Sequence, residues 1–206
     1  GASPSLNRLA LPQRARPINA SPLLFNIHYH LGMNLHTLLR QREKPIRVGL
    51  IGAGKFGTMF LAQLRQIAGM ELAGVADLRI DHARTSLQNT GWDAEEVFVT
   101  DDASELIVAS LDVLVECTGN PLAAATHALQ AFEQHLHVVM VTVEVDAVCG
   151  WVLRRRADEA GVVYSMAYGD QPALVCELVD WARISGFPVV AAGKGTKHLP
   201  HYHYST

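Results

Sequence analysis

The run Arg47 to Gly57, RVGLIGAGKFG, constrains the fold more than any other stretch of the chain. A short apolar segment passes directly into Gly52-x-Gly54-x-x-Gly57, and an acid, Asp77, follows twenty residues after the last glycine. In a strand-turn-helix that receives a dinucleotide each glycine has its own duty. Gly52 allows the tight turn, Gly54 lets the backbone approach a pyrophosphate, and Gly57 lets the new helix pack closely on the sheet. The phosphate then lies at the helix N-terminus, where unpaired N–H groups and the positive end of the helix dipole favour an anion, so Ala53, Lys55 and Phe56 belong to the same binding turn. A glycine-rich turn without a ligand requires no such surroundings. Here a strand pattern precedes it, and Phe56, Met59, Phe60, Gln63, Leu64 and Ile67 trace a helical face behind it.

Asp77 ends the apolar run from Glu71 to Ala76, which reads as the second strand. A carboxylate there accepts both ribose hydroxyls of the adenosine half and favours NAD, because a 2′-phosphate would bring like charges together. Arg79 points the other way: its guanidinium pairs with a 2′-phosphate if Asp77 swings aside, or is simply a solvated residue at a helix start. The chemistry of these two residues leaves NAD and NADP both open.

From Ile46 onward the chain alternates. Apolar runs at Val48–Ile51, Leu72–Ala76, Val97–Thr100, Val113–Glu116, Val138–Val143 and Val162–Met166 are separated by helical stretches, which predicts an α/β fold, a doubly wound parallel sheet of the Rossmann type. Asp101 or Asp102 can cap one helix, and Asn120-Pro121 supplies a cap and a first-turn proline for the next. A later helix, Pro172–Ser185, and a strand, Phe187–Ala191, are expected where a second, substrate-facing domain begins. The expected organisation is an irregular leader over 1–32, a dinucleotide-binding domain over 33–168, and the start of a catalytic domain over 169–206.

Composition narrows the class. With 206 residues, 49% hydrophobic and 18% charged, the chain fills a domain and has no disordered bulk, and its net charge of −3 with no basic cluster interleaved with aromatics excludes a nucleic-acid surface. No run of about eighteen apolar residues exists, so no membrane span is implied. Cys117, Cys149 and Cys176 are widely spaced in apolar sequence, which suits small core residues and a reducing cytoplasm. The leader holds four prolines and scattered arginines, and Met33 opens a helical pattern. The leader reads as a gene-start artefact ahead of a transit peptide, since it lacks an amphipathic helix.

In an open parallel sheet, ligands lie beyond the carboxyl ends of the strands. Thr118-Gly119-Asn120, after the fourth strand, is placed to lie against the nicotinamide ribose, with a plain capped turn as the alternative. Glu144, after the fifth, projects towards the nicotinamide or acts only at a helix start. Asp170 follows the sixth and is also a candidate cap for the helix after it. Lys194 and Lys197, held between glycines in GKGTK, suit an anionic substrate or a proton donor to a carbonyl as hydride arrives. The His198, His201 and His203 tail has no acid or cysteine beside it and reads as site-lining or disordered sequence rather than a metal set. His28, His30, His135 and His137 repeat the spacing incidentally.

The strings VGLIGAGKFGTMFLAQL, VECTGNP, VVMVTVE, VVYSMAYGDQPAL and AAGKGTKHLPHYH resemble the homoserine-dehydrogenase-like NAD(P)-binding oxidoreductases, and most closely their reductoisomerase-like branch. That branch converts 1-deoxy-D-xylulose 5-phosphate to 2-C-methyl-D-erythritol 4-phosphate with NADPH, in isoprenoid synthesis. The resemblance runs from Met33 to Thr206 and implies that the chain is an N-terminal fragment. It also implies that Gly52, Gly54, Gly57, Asp77 and Thr118-Gly119-Asn120 hold the dinucleotide. Homoserine dehydrogenases carry a lysine in an Ala-Asn-Lys run after the fifth strand, where this chain has Thr142-Val143-Glu144. A reductoisomerase needs a divalent cation, for which Glu144 and Asp170 are the available hard oxygen ligands. The resulting expectation is an NADP-preferring oxidoreductase of a small hydroxy-carbonyl substrate, working as a homo-oligomer without nucleic-acid or membrane partners. Lys194, Lys197 and Asp170 are its expected catalytic groups. A homoserine or sugar-acid dehydrogenase is the alternative enzyme, and a non-catalytic nucleotide-binding module the alternative of another class.

Overall fold

The computed structural model describes residues 35–169 and 171–193. The chain divides into two units, residues 1–38 and 39–206. A short helix, α1 (Leu35–Arg40), crosses that boundary, and every other element described here belongs to the second unit.

That unit alternates strand and helix: β1 (Ile46–Ile51), α2 (Lys55–Leu64), β2 (Met70–Ala76), α3 (Ile80–Asn89), β3 (Val99–Thr100), α4 (Ala103–Ile107) and β4 (Val113–Glu116), then α5 (Pro121–Glu133), β5 (His137–Met140), α6 (Val143–Ala160), β6 (Tyr164–Met166) and α7 (Gln171–Ile184). The six strands form one sheet in the order β3-β2-β1-β4-β5-β6, every pairing parallel. The doubly wound α/β fold expected from the alternation is the one present.

Two cores explain why the strands read as nearly continuous apolar runs. On one face Val48, Leu50, Val75 and Val115 pack with Leu61 and Leu64 of α2 and Ala83 and Leu87 of α3. On the other, Ile51, Ala76, Leu114, Val138 and Met140 pack with Leu106 of α4, Ala124 and Ala128 of α5, and Leu153 and Ala157 of α6. Neighbouring residues of a strand, such as Leu50 and Ile51 or Leu114 and Val115, serve opposite faces because side chains alternate along it.

The caps follow the sequence closely. Asp102 accepts the Ser104 N–H at 2.8 Å, and Asn120 Oδ1 accepts the Leu122 and Ala123 N–H groups at 3.1 and 3.2 Å, with Pro121 in the first turn. Some boundaries differ. The fifth strand ends at Met140 instead of Val143: the Val143 N–H turns back to the Val141 carbonyl at 2.8 Å, and Thr142 becomes the N-cap of α6. The third run narrows to Val99–Thr100. Residues 187–191 form no strand, since the Phe187 N–H closes on Ala182 at the end of α7 instead of pairing along the sheet. Helix α6 is bent at Cys149, where φ is −141° and ψ 17°.

Candidate dinucleotide site

The sheet changes winding direction between β1 and β4, and a cleft of about 600 Å³ opens above the carboxyl ends of these two strands. Gly52, Gly54, Asp77 and Arg79 line it from the β1 and β2 side, Ser104 from α4, and Thr118, Asn120, His127 and Gln130 from β4 and α5.

The three glycines stand in three different environments. Gly52 has φ +97°, and a Cβ on it would lie 2.8 Å from the Cys117 carbonyl oxygen. A Cβ on Gly57 would lie 2.1 Å from the Gly52 carbonyl oxygen, so only glycine lets α2 sit this close to the turn. A Cβ on Gly54 would meet no atom within 4 Å. Of the three, Gly54 alone leaves open space for an approaching group.

The charge pattern selects the same place. Among α2 to α6, α2 is the helix whose N-terminus has neither a side-chain cap nor an acid in its first turn. Helices α4 and α5 are capped by Asp102 and Asn120, and α3 and α6 carry Asp81, Glu144 and Asp146 in their first turns. An anion is therefore best received at α2, on amides that have no partner within the helix. Lys55 and Phe56 occupy this first turn and are exposed, whereas Ala53 is buried.

Asp77 is fixed in place. Its Oδ2 accepts the Ala53 N–H at 2.8 Å and its Oδ1 the Arg79 N–H at 2.9 Å, with His82 Nδ1 3.8 Å from Oδ2. Swinging this carboxylate aside to admit a 2′-phosphate would give up both bonds, each worth about 1.5–3 kcal/mol for a charged acceptor.

Beneath the cleft, Cys117 ties β4 to the glycine turn: its thiol donates to the Gly52 carbonyl at 2.9 Å and lies 3.2 Å from that of Ile51. Burial first, then the negative charges of Glu116 and Asp77, push this thiol up to about 12, so it stays protonated and inert. Glu116 is fully buried and accepts hydrogen bonds from the hydroxyls of Thr118 and Thr142, with His127 Nδ1 at 3.4 Å. Further along, the Tyr164 hydroxyl, bonded to Asp146 at 3.1 Å, is held protonated by burial and then by that carboxylate.

The structure therefore brings Gly52, Gly54, Asp77, Arg79, Thr118 and Asn120 to one cleft; Ala53, Lys55, Phe56, Gly57 and Gly119 belong to its turns without lining it, and Glu144 stands exposed in the first turn of α6 away from the lining. Asp170, Lys194, Lys197 and the terminal histidines lie outside the described residues. Among the described residues no group of three His, Cys, Asp or Glu side chains is placed to hold a metal ion, and no helix is long and apolar enough to cross a membrane. Glu116 opens the turn after the fourth apolar run and Thr142 stands where homoserine dehydrogenases carry their Ala-Asn-Lys run, but nothing in the sequence pairs the two, and His127 carries no signal.

Residues 52–166 match the model described as "Homoserine dehydrogenase, NAD binding domain", and residues 169–206 match "Oxidoreductase DRL, catalytic domain". No curated relative matches the sequence. Among solved structures, a homoserine dehydrogenase from Thiobacillus denitrificans aligns with a TM-score of 0.54 at 24% identity, covering 60% of this chain and 29% of that one. The WlbA dehydrogenase from Bordetella pertussis, solved with NADH and UDP-GlcNAcA, aligns with a TM-score of 0.52 at 22% identity, covering 69% and 43%. A probable dehydrogenase from Thermotoga maritima aligns with a TM-score of 0.53 at 19% identity, covering 68% and 41%. At these identities the structures show a shared fold, and this chain spans less than half the length of each. The family match over 52–166 is broader evidence: the chain belongs to the homoserine dehydrogenase NAD-binding domain family.

Proposed function

We propose that this chain supplies the cofactor-binding part of an enzyme that passes hydride between a nicotinamide dinucleotide and a small hydroxy-carbonyl substrate. The observation that carries the reading is the uncapped, acid-free N-terminus of α2 beside the open side of Gly54, with Asp77 and Arg79 on the same cleft. The pyrophosphate would lie on the first turn of α2, the adenosine ribose against Asp77 and Arg79, and the nicotinamide half towards Thr118-Gly119-Asn120. The cofactor supplies the hydride acceptor or donor; the chain's residues bind and orient it.

Cofactor choice turns on two opposed features. The fixed Asp77 favours a free 2′-hydroxyl, and Arg79, whose side chain makes no hydrogen bond or ion pair among the described residues, offers a cation to a 2′-phosphate. Our reading keeps NADPH as the preferred partner through Arg79, with NADH admitted by Asp77.

Residues 169–206 would begin the catalytic part, in line with the match there, and α7 supports this with Leu174, Leu178, Trp181 and Ile184 all exposed, an apolar stripe that a following domain would bury. On that reading Lys194 or Lys197 anchors an anionic group or protonates the developing alkoxide, and Asp170 sits at the entry to α7. A reductoisomerase-type reaction on a phosphorylated sugar is the substrate class we favour. A homoserine or sugar-acid dehydrogenase is the second reading, supported by the NAD-binding family match but weakened by Glu144 where homoserine dehydrogenases carry a lysine. Glu144 and Asp170 would be the hard oxygen ligands offered to a divalent cation. A homo-oligomer working in the cytoplasm completes the proposal.

The test is a titration with NADPH and with NADH, followed by nicotinamide fluorescence. Tighter NADPH binding supports Arg79 as the reader of the 2′-phosphate, and tighter NADH binding puts Asp77 in control. Binding of neither refutes the cofactor assignment.

A further inference from the structure

Glu116 is the least expected side chain in the core: a carboxylate at the end of β4, fully buried between sheet and helices. Removing such a group from water is costly, and apolar replacements of buried ionic groups are often neutral or stabilising, so stability alone does not favour an acid here. What a carboxylate provides and an apolar residue does not is direction.

Because it only accepts hydrogen bonds, it fixes the orientation of both hydroxyls that reach it. Thr142 Oγ1 donates to Glu116 Oε2 at 2.5 Å, and with its proton committed it accepts the Gly119 N–H at 3.0 Å. Thr118 Oγ1 donates to Oε1 at 2.6 Å and in the same way accepts the Asn120 N–H at 3.2 Å. The Thr118 N–H reaches Oε1 directly at 3.3 Å. Three successive amides of one turn therefore answer to a single carboxylate, and they hold Gly119 at φ +71°. His127 Nδ1, 3.4 Å from Oε1, brings the α5 wall of the cleft to the same group.

We propose that Glu116 is the positioning residue for the turn Thr118–Asn120, acting through Thr118, Thr142 and His127 so that the turn is already shaped to receive the nicotinamide half of the dinucleotide. The inference rests on the dinucleotide reading above. Glu116 itself is too buried to touch a ligand; its effect is on where the turn's amides point. Glutamine in its place offers an acceptor to one threonine and an amide donor to the other, whose hydroxyl proton then loses its acceptor and no longer fixes the lone pair that receives the Gly119 or the Asn120 N–H.

The experiment compares the chain with its Glu116→Gln, Thr142→Val, His127→Asn and His127→Leu variants, measuring dissociation constants for NADPH, NADH and, as adenosine-half probes, ADP and adenosine 2′,5′-bisphosphate. Circular dichroism and thermal melting run alongside. Glu116→Gln and Thr142→Val are expected to weaken the dinucleotides by about tenfold while leaving the adenosine-half probes within about twofold. His127→Asn, whose amide nitrogen can stand where Nδ1 stands, is expected to recover binding that His127→Leu loses. If Glu116→Gln fails to fold, Thr142→Val carries the comparison, being nearly the same shape. Equal losses for dinucleotide and probe, or no loss for either, overturn the proposal. Wild-type chain that binds neither dinucleotide overturns the cofactor reading itself, an outcome distinct from a wild type that binds and variants that match it.

Discussion

The same methyl group added at two glycines of one turn should have opposite consequences. In Gly57→Ala the new Cβ would start 2.1 Å from the Gly52 carbonyl oxygen, both being main-chain positions. Ordinary carbon–oxygen contacts lie at about 3.3–3.6 Å, so α2 must retreat by about 1.2–1.5 Å or the turn must deform. Overpacking of this kind costs about 1–3 kcal/mol, which for a chain of this size lowers Tm by about 2–12 °C. In Gly54→Ala the added atom meets nothing within 4 Å, and the backbone at φ −68° suits alanine. The main cost is a poorer N-cap, within about 1 kcal/mol, so Tm should move by a few degrees at most. The methyl then occupies the space assigned to the pyrophosphate, and dinucleotide affinity should fall by about a hundredfold or more, roughly the loss of two strong hydrogen bonds. Differential scanning calorimetry and the fluorescence titration read both variants. A Gly54→Ala chain that binds as tightly as wild type would refute the placement of the phosphate, and an unchanged Tm for Gly57→Ala would refute the close approach of α2.

Other expectations are as direct. Asp77→Asn replaces two acceptors with one acceptor and one donor, so it should cost about 1–3 kcal/mol of stability through an unpaired Ala53 or Arg79 N–H, and should shift the NADPH-to-NADH affinity ratio towards NADPH; unchanged melting and an unchanged ratio would argue against both bonds. Iodoacetamide at pH 8.5 should label exposed Cys176 well before Cys117, whose thiol is raised to about 12, and peptide mapping that finds Cys117 labelled first would contradict its burial. The same raised value makes folding take up a proton from the ordinary thiol value upwards. This contribution is complete below about pH 9 and is lost as pH rises towards about 12, with Tyr164 adding in the same direction; Cys117→Ala should show a shallower alkaline fall in denaturant midpoint.

Local features of the site were legible in the sequence. The glycine turn, Asn120 as a cap, and most strand and helix spans rest on interactions within a few residues, which spacing and residue type report directly. What the sequence hid depends on lateral order. Glu116 and Thr142 meet because β4 and β5 run side by side with Glu116 level with Met140, and no pattern within either segment says so. The alternative in which Asp77 swings aside stayed open because one of its partners, the Ala53 N–H, is a backbone group on another strand's turn. The valines after Met140 suggested a longer strand, yet the hydroxyl of Thr142 is drawn to Glu116 and the chain turns into α6 there. Residues 187–191 are apolar enough for a strand, but among the described residues no strand pairs with them.

The central place of the β1–β4 pair in the sheet governs how the molecule responds to a ligand. β1 and β4 carry apolar side chains to both faces, and their pairing from Val48 with Val113 to Ile51 with Glu116 is the seam along which the N-terminal strand-helix repeats meet the C-terminal ones. A molecule lying across Gly52, Asp77 and Thr118 would bridge the two sets of repeats at that seam and stabilise the folded chain by mass action. Amide hydrogen exchange should then slow most at the Cys117 N–H, which bonds to Ile51, and in the neighbouring amides of β1 and β4, more than in the outer strands β3 and β6.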